Sequence, residues 1–197
     1  PNVPAEDFDS EVAENNRYPV YPPVGFAIMS RALQDRGYPA HDISILDLNF
    51  LLQENFKKDP EAFDYETWRS LLERRIQEFR PNVVALTCMF TVYYRQMRRV
   101  ATHVKSINPF MPVFAGGTHN SDAAEIVARD CRDVDIICLF EGNASFVDTL
   151  DFINGTVGKE KLNQLSAMEG ERYVALEERA PKTPESINII PDYHDLP

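Results

Sequence analysis

Three continuous apolar runs, each followed by a segment of helical period, constrain this chain more than anything else in it. They are Asn82-Val83-Val84-Ala85-Leu86-Thr87-Cys88, Met111-Pro112-Val113-Phe114-Ala115 and Val134-Asp135-Ile136-Ile137-Cys138-Leu139-Phe140. Short runs without polar alternation suit strands covered on both faces, as in parallel sheets. Residues 92–107 place Met97, Val100, Ala101 and Val104 on one helical face and Arg95, Arg98 and Arg99 on the other. That pattern predicts a helix with a solvated basic side. Residues 123–131 have helical composition, and 146–154 predict a helix closed by Gly155.

The earlier part of the chain fits the same plan. Residues 1–4 resemble the tail of a strand whose beginning is absent, and about 18 acidic, aperiodic residues follow as a long loop. Pro22-Pro23 opens a helix whose stripe is Phe26, Ile28, Met29, Ala32 and Leu33, with Gly37 as its stop. Residues 43–48 predict a strand ending in a solvated Asp47. A polar insertion over 49–64 accommodates a short helix. Residues 65–79 carry Trp68, Leu71, Leu72, Ile76 and Phe79 at helical spacing. Strands alternating with helices of about 10–16 residues imply right-handed βαβ crossovers. The expected fold class is therefore α/β: a doubly wound, Rossmann-like or flavodoxin-like parallel sheet with helices on both faces, spanning residues 1–155. Residues 156–197 are expected to add a short helix at 159–168, a short strand at 172–176 and a proline-rich exit linker.

Composition narrows the function. A formal charge of -11 opposes a nucleic-acid partner, because phosphate binding needs clustered Lys and Arg. No apolar run approaches the roughly 20 residues of a membrane span, so no membrane partner and a cytoplasmic location are expected. Cys88, Cys131 and Cys138 sit in apolar surroundings without CxxC or CxxxCxxC spacing. This chain thus encodes neither a zinc site nor an iron–sulfur cluster, and buried, reduced thiols are expected.

The candidate site centres on Val113-Phe114-Ala115-Gly116-Gly117-Thr118-His119-Asn120-Ser121. Two glycines turn the backbone sharply and admit a close approach, while Thr118 to Ser121 offer capping oxygens to the next helix. Ligands of open α/β sheets bind where strands end and helices begin. Taken alone, the double glycine is only a tight turn.

Four ordered segments give it context. Tyr21-Pro22-Pro23-Val24-Gly25-Phe26-Ala27, Val84-Ala85-Leu86-Thr87-Cys88-Met89-Phe90-Thr91, Pro112-Val113-Phe114-Ala115-Gly116-Gly117-Thr118-His119 and Phe140-Glu141-Gly142-Asn143-Ala144-Ser145-Phe146 together resemble a known domain. It is the N-terminal cobalamin-binding domain of the cobalamin-dependent radical S-adenosylmethionine enzymes. Ile190-Pro191-Asp192-Tyr193 resembles the junction before that family's radical barrel.

The resemblance implies cobalamin as cofactor. Thr87, Cys88, Met89, Phe90 and Thr91 would contact the corrin edge or tail. Gly116, Gly117, Thr118 and His119 would line the path of the nucleotide base, and Glu141, Gly142 and Asn143 would form a third turn. Asn143 stands where a second glutamate is usual. The 4Fe–4S cluster and S-adenosylmethionine would belong to a radical barrel outside this chain, which alone completes no catalysis. Residues 4–21 hold no histidine that could replace the base on cobalt. The corrinoid is therefore expected base-off without a protein histidine on cobalt, with His119 as a neutral helix cap and His41, His103 and His194 on the surface. The implied activity is methyl transfer.

A flavodoxin-like or receiver-like module binding a nucleotide or a partner is the alternative. Glu6, Asp7 and Asp9 imitate a receiver's carboxylates, but no lysine closes the strand ending at Phe140. A hydrolase on the same scaffold lacks the GxSxG elbow.

Overall fold

The computed structural model describes residues 8–14, 24–176 and 191. Its sheet has five strands in the order β1-β2-β3-β4-β5: β1 (Val84–Thr87), β2 (Val113–Gly116), β3 (Ile136–Cys138), β4 (Leu165–Glu169) and β5 (Arg172–Leu176). The first three are parallel, with Val84 opposite Val113 and Phe114 opposite Ile136. β4 pairs antiparallel with β3 and turns into β5 through Gly170, whose φ is +63°. A positive φ at the first turn position is the habit of tight hairpins.

Side-chain parity divides the apolar runs between two cores, as the two faces of a strand require. Val113, Ala115, Ile137 and Leu139 enter the larger cluster. Phe114 and Cys138 enter the smaller one. Helices α3 (Leu48–Lys58), α4 (Thr67–Phe79), α5 (Tyr94–Ile107) and α7 (Ala124–Asp130) cover the larger cluster with Leu52, Trp68, Val100, Ala101 and Val127. Helices α2 (Val24–Asp35) and α8 (Gly142–Ile153) cover the smaller one with Leu33, Phe146 and Val147. Helices thus lie on both faces, as expected. Burying a side chain such as Phe114 or Leu139 contributes about 1.5–3 kcal/mol. Arg36 clamps α2 to α8 through Asp151 at 2.6 Å and Asp148 at 2.8 Å.

Several expectations are corrected. Residues 43–47 form no ladder; Asp47 instead caps α3, accepting from the amides of Asn49 and Phe50 at 2.9 and 3.0 Å. An aspartate before a run with helical spacing satisfies orphan amides better than a strand end does. The long N-terminal loop contains α1 (Ser10–Glu14), capped by Asp9. The helix expected over 159–168 is a single 3-10 turn, Lys159–Lys161, followed by β4. The open edge of β3 claims that segment: Leu139 donates to the Gln164 carbonyl at 2.7 Å, and an unpaired interior edge outweighs weak helix propensity. The sheet therefore continues past Gly155. His103 is buried rather than on the surface, with Nε2 3.0 Å from Glu73 and its ring against Trp68. Arg98 and Arg99 are likewise engaged, with Asp130 and with Glu66. His41 is exposed. His194, Tyr21-Pro22-Pro23 and most of the exit linker lie outside the described residues.

Candidate functional site

The sheet brings the predicted segments together at the carboxyl ends of β1, β2 and β3. Thr87 stands opposite Gly116, and the Cys88 amide donates to the Gly116 carbonyl at 2.9 Å. The His119 amide donates back to the Cys88 carbonyl at 3.2 Å, so the loops after β1 and β2 are stitched to each other.

Gly117 is needed for that stitching. Its φ is +96°, and a Cβ there would lie 2.6 Å from the Cys88 carbonyl oxygen and 2.9 Å from Thr87 Oγ1. The close approach at Gly117 is made by the protein's own β1 loop. Gly116 differs: a Cβ would meet Cys138 atoms only at 3.8 and 3.9 Å, ordinary contact. Gly142 opens α8, with a Cβ position 3.3 Å from Cys138 Cβ.

The capping role expected of residues 118–121 is replaced by a different one. Gly117 precedes the short helix α6 (Thr118–Asp122), and no side chain caps it. Asn120 is fully buried and reaches back, donating from Nδ2 to the Gly116 carbonyl at 2.7 Å. The Ser121 hydroxyl accepts from the Phe140 amide at 2.8 Å, tying the β2 loop to the end of β3. Phe140 is held there at φ +58°, a conformation that costs a non-glycine residue about 1–3 kcal/mol. Asn120 and Ser121 were named in the sequence only as capping oxygens. Their tethering roles could not be read from spacing, because both partners lie across the turn.

His119 does not cap a helix with its side chain. Nδ1 lies 3.1 Å from Thr91 Oγ1, and the ring packs on Tyr94 at 5.0 Å. Its Nε2 is buried and has no partner in the structure. Burial, with a hydrogen bond to Asp130, raises the Tyr94 phenol well above its ordinary value. Burial likewise pushes the Cys88 thiol up to about 11 and Cys138 up to about 12. Neither is a nucleophile at neutral pH.

Around this frame the surface is open and apolar. Met89, Phe90 and Val92 are 50%, 62% and 70% exposed on the β1–α5 loop, beside the exposed hydroxyl residues Thr87 and Thr91. Thr118 and Glu141 are exposed and Asn143 half-exposed on the neighbouring loops. Such a rim fits a wide, flat cofactor with an apolar face and polar edges, and the unpartnered His119 Nε2 lies beneath it. Among the described residues, no cluster of His, Cys, Asp or Glu could hold a metal ion by itself. No helix of the described residues is long and apolar enough to cross a membrane.

Three loops meeting at the carboxyl edge of parallel strands define the class: an open α/β domain with its ligand site at the strand ends. The family model of the B12 binding domain matches residues 11–150, and the chain belongs to that family. A curated relative, an uncharacterized methyltransferase from Pyrococcus horikoshii, is 26% identical over 133 residues, covering 68% of this chain and 25% of the relative. A solved structure of TsrM from Kitasatospora setae, a radical S-adenosylmethionine methyltransferase with tryptophan substrate and aza-SAM bound, aligns with a TM-score of 0.65 at 17% identity. That alignment covers 81% of this chain and 28% of TsrM, and it establishes the fold. The chain thus spans about a quarter of the length of these relatives.

Proposed function

We propose that this chain is the cobalamin-holding domain, residues 1–155 with the following hairpin and linker, of a larger cytosolic radical S-adenosylmethionine methyltransferase. The observation that carries it is the carboxyl-edge rim of Met89, Phe90, Thr91 and Val92 over the Gly116-Gly117 turn, in a chain matched by the B12 binding family over 11–150. The methyltransferase reading is supported by what the two relatives are called. A 4Fe–4S cluster and S-adenosylmethionine would be held by the radical barrel of the full-length protein. Bound at the rim, the corrinoid supplies a cobalt centre that accepts and releases a methyl group.

The residues here bind and orient. Thr87 and Thr91 offer hydroxyls to polar edges, Phe90 and Met89 exclude water from an apolar face, and Glu141, Gly142 and Asn143 bound the site on the β3 side. We assign the base-off form without a histidine of this chain on cobalt. Residues 4–21 contain no histidine. His103 is buried between helices, and His119 keeps Nδ1 on Thr91 with Nε2 turned inward.

The test is to mix the chain with hydroxocobalamin, desalt it and record the visible spectrum. Retained corrin absorption of base-off shape, lost in Thr91→Trp and unchanged in His119→Ala, is the expected result. A colourless protein in both the chain and the full-length protein would favour a partner-binding module instead.

A further inference from the structure

We propose that the sheet is completed beyond β1, in the full-length polypeptide, by one apolar strand from upstream of Phe8. It runs parallel to β1, between β1 and residues 43–47. This inference rests on the sheet and is independent of the cofactor reading.

β1 is built as an interior strand yet lies at the edge. Val84 and Leu86 pack on the larger cluster, and Val83 and Ala85 on the smaller one. Natural edge strands are guarded by charges, proline or bulges. Residues 83–87 carry none of the first two, and β1 is only half-buried where β2 is buried. The amides of Val84 and Cys88 donate to β2, at the Pro112 and Gly116 carbonyls. Alternation along a parallel ladder therefore turns the Ala85 and Thr87 amides outward.

Residues 43–47 supply the far wall. Ile43 is extended at φ −116° and ψ 133°, and Asp47 at φ −91° and ψ 95°. Ile43 packs on the smaller cluster, whereas Leu46 and Leu48 pack on the larger. This is the parity of a strand, without a ladder to β1. Both cores thus continue past β1 to a segment that has the side-chain order of the sheet and lacks its hydrogen bonds. One intervening strand accounts for both.

The position of Phe8 selects the occupant. Its ring packs against Phe63 at 4.9 Å and Tyr65 at 5.9 Å, ahead of α4. Because α4 ends just before β1 begins, its first turn lies toward the carboxyl ends of the strands. A strand parallel to β1 would deliver its chain to that edge, where Phe8 stands. The added strand would lead to α2 on the smaller-cluster face, whereas β1 leads to α5 on the other. Adjacent strands whose connections leave to opposite faces form the crevice of an open sheet. The strand would therefore be the second wall of a crevice beside Thr87 to Thr91.

Amide exchange at single-residue resolution tests this on the full-length protein and on the present chain. In the full-length protein the Ala85 and Thr87 amides should exchange at least about 100-fold more slowly than in the chain alone, while Val84 and Cys88 stay protected in both. Equally fast exchange of Ala85 and Thr87 in the full-length protein would overturn the proposal. So would protection that grows with concentration alongside a doubled mass, which would assign the edge to a second copy. Neither readout involves cobalamin, so failure of the cofactor reading leaves this result standing.

Discussion

The two ends of the same three strands are built in opposite ways. At the amino end, polar groups are saturated. Asp135 accepts from Lys105 Nζ and from the Val113 amide, both at 2.7 Å, and Lys105 also donates to the Met111 carbonyl. Arg132 pairs with Glu171 at 2.9 Å. At the carboxyl end, the chain holds a left-handed Phe140, unpartnered polar atoms on His119 and Asn120, and a loop of exposed apolar side chains. Features that cost stability concentrate where strands release their chain into binding loops, and the opposite edge anchors the sheet.

The contrast sharpens most at the glycines. Gly117→Ala should destabilise the fold by about 3 kcal/mol or more, because the clash is with backbone at a positive φ. Gly116→Ala, one residue earlier, should cost less than about 1 kcal/mol in the same urea titration. Equal effects would mean that the two turns do not interlock as described.

Asp135→Ala should cost about 1–3 kcal/mol by leaving the buried Val113 amide and Lys105 without their acceptor. It should leave the hydroxocobalamin spectrum unchanged. A spectral change would break the division of labour between the edges.

Alkaline stability is a smaller handle. Burial holds the folded Cys88 and Cys138 thiols protonated up to about 11 and about 12, above the ordinary 9.0. The folded state then binds more protons than the unfolded chain above pH 9, so stability is full below 9 and falls as pH rises toward the folded values. Thermal melts from pH 8 to 11 should show that loss, and Cys138→Ser should flatten part of it.

Smallest in stability is Phe90→Ser, expected within about 0.5 kcal/mol of the parent, yet with weaker corrinoid retention after desalting. Unchanged retention would remove Phe90 from the site.

Much of this was legible before any coordinates. The apolar runs at 82–88, 111–115 and 134–140 contain β1, β2 and β3, and the Trp68 and Val100 stripes mark α4 and α5. Other elements were not legible because their signals were local and weak. Residues 43–48 have strand composition but no neighbouring ladder among the described residues, and residues 162–168 pair only because β3 offers an edge. His103, read as a surface residue, is buried because α4 packs on α5.

The amino-acid sequence by itself determined the alternation of buried strands and amphipathic helices, the order of the three loops and the family they resemble. Those follow from side-chain polarity and spacing, which are properties of the chain. Only the tertiary structure decided that Gly117 makes room for the Cys88 carbonyl, that Ser121 holds Phe140 in a left-handed turn, and that β4 and β5 extend the sheet. Each depends on atoms that meet across the turns and along the sheet, and such meetings exist only once the chain is packed.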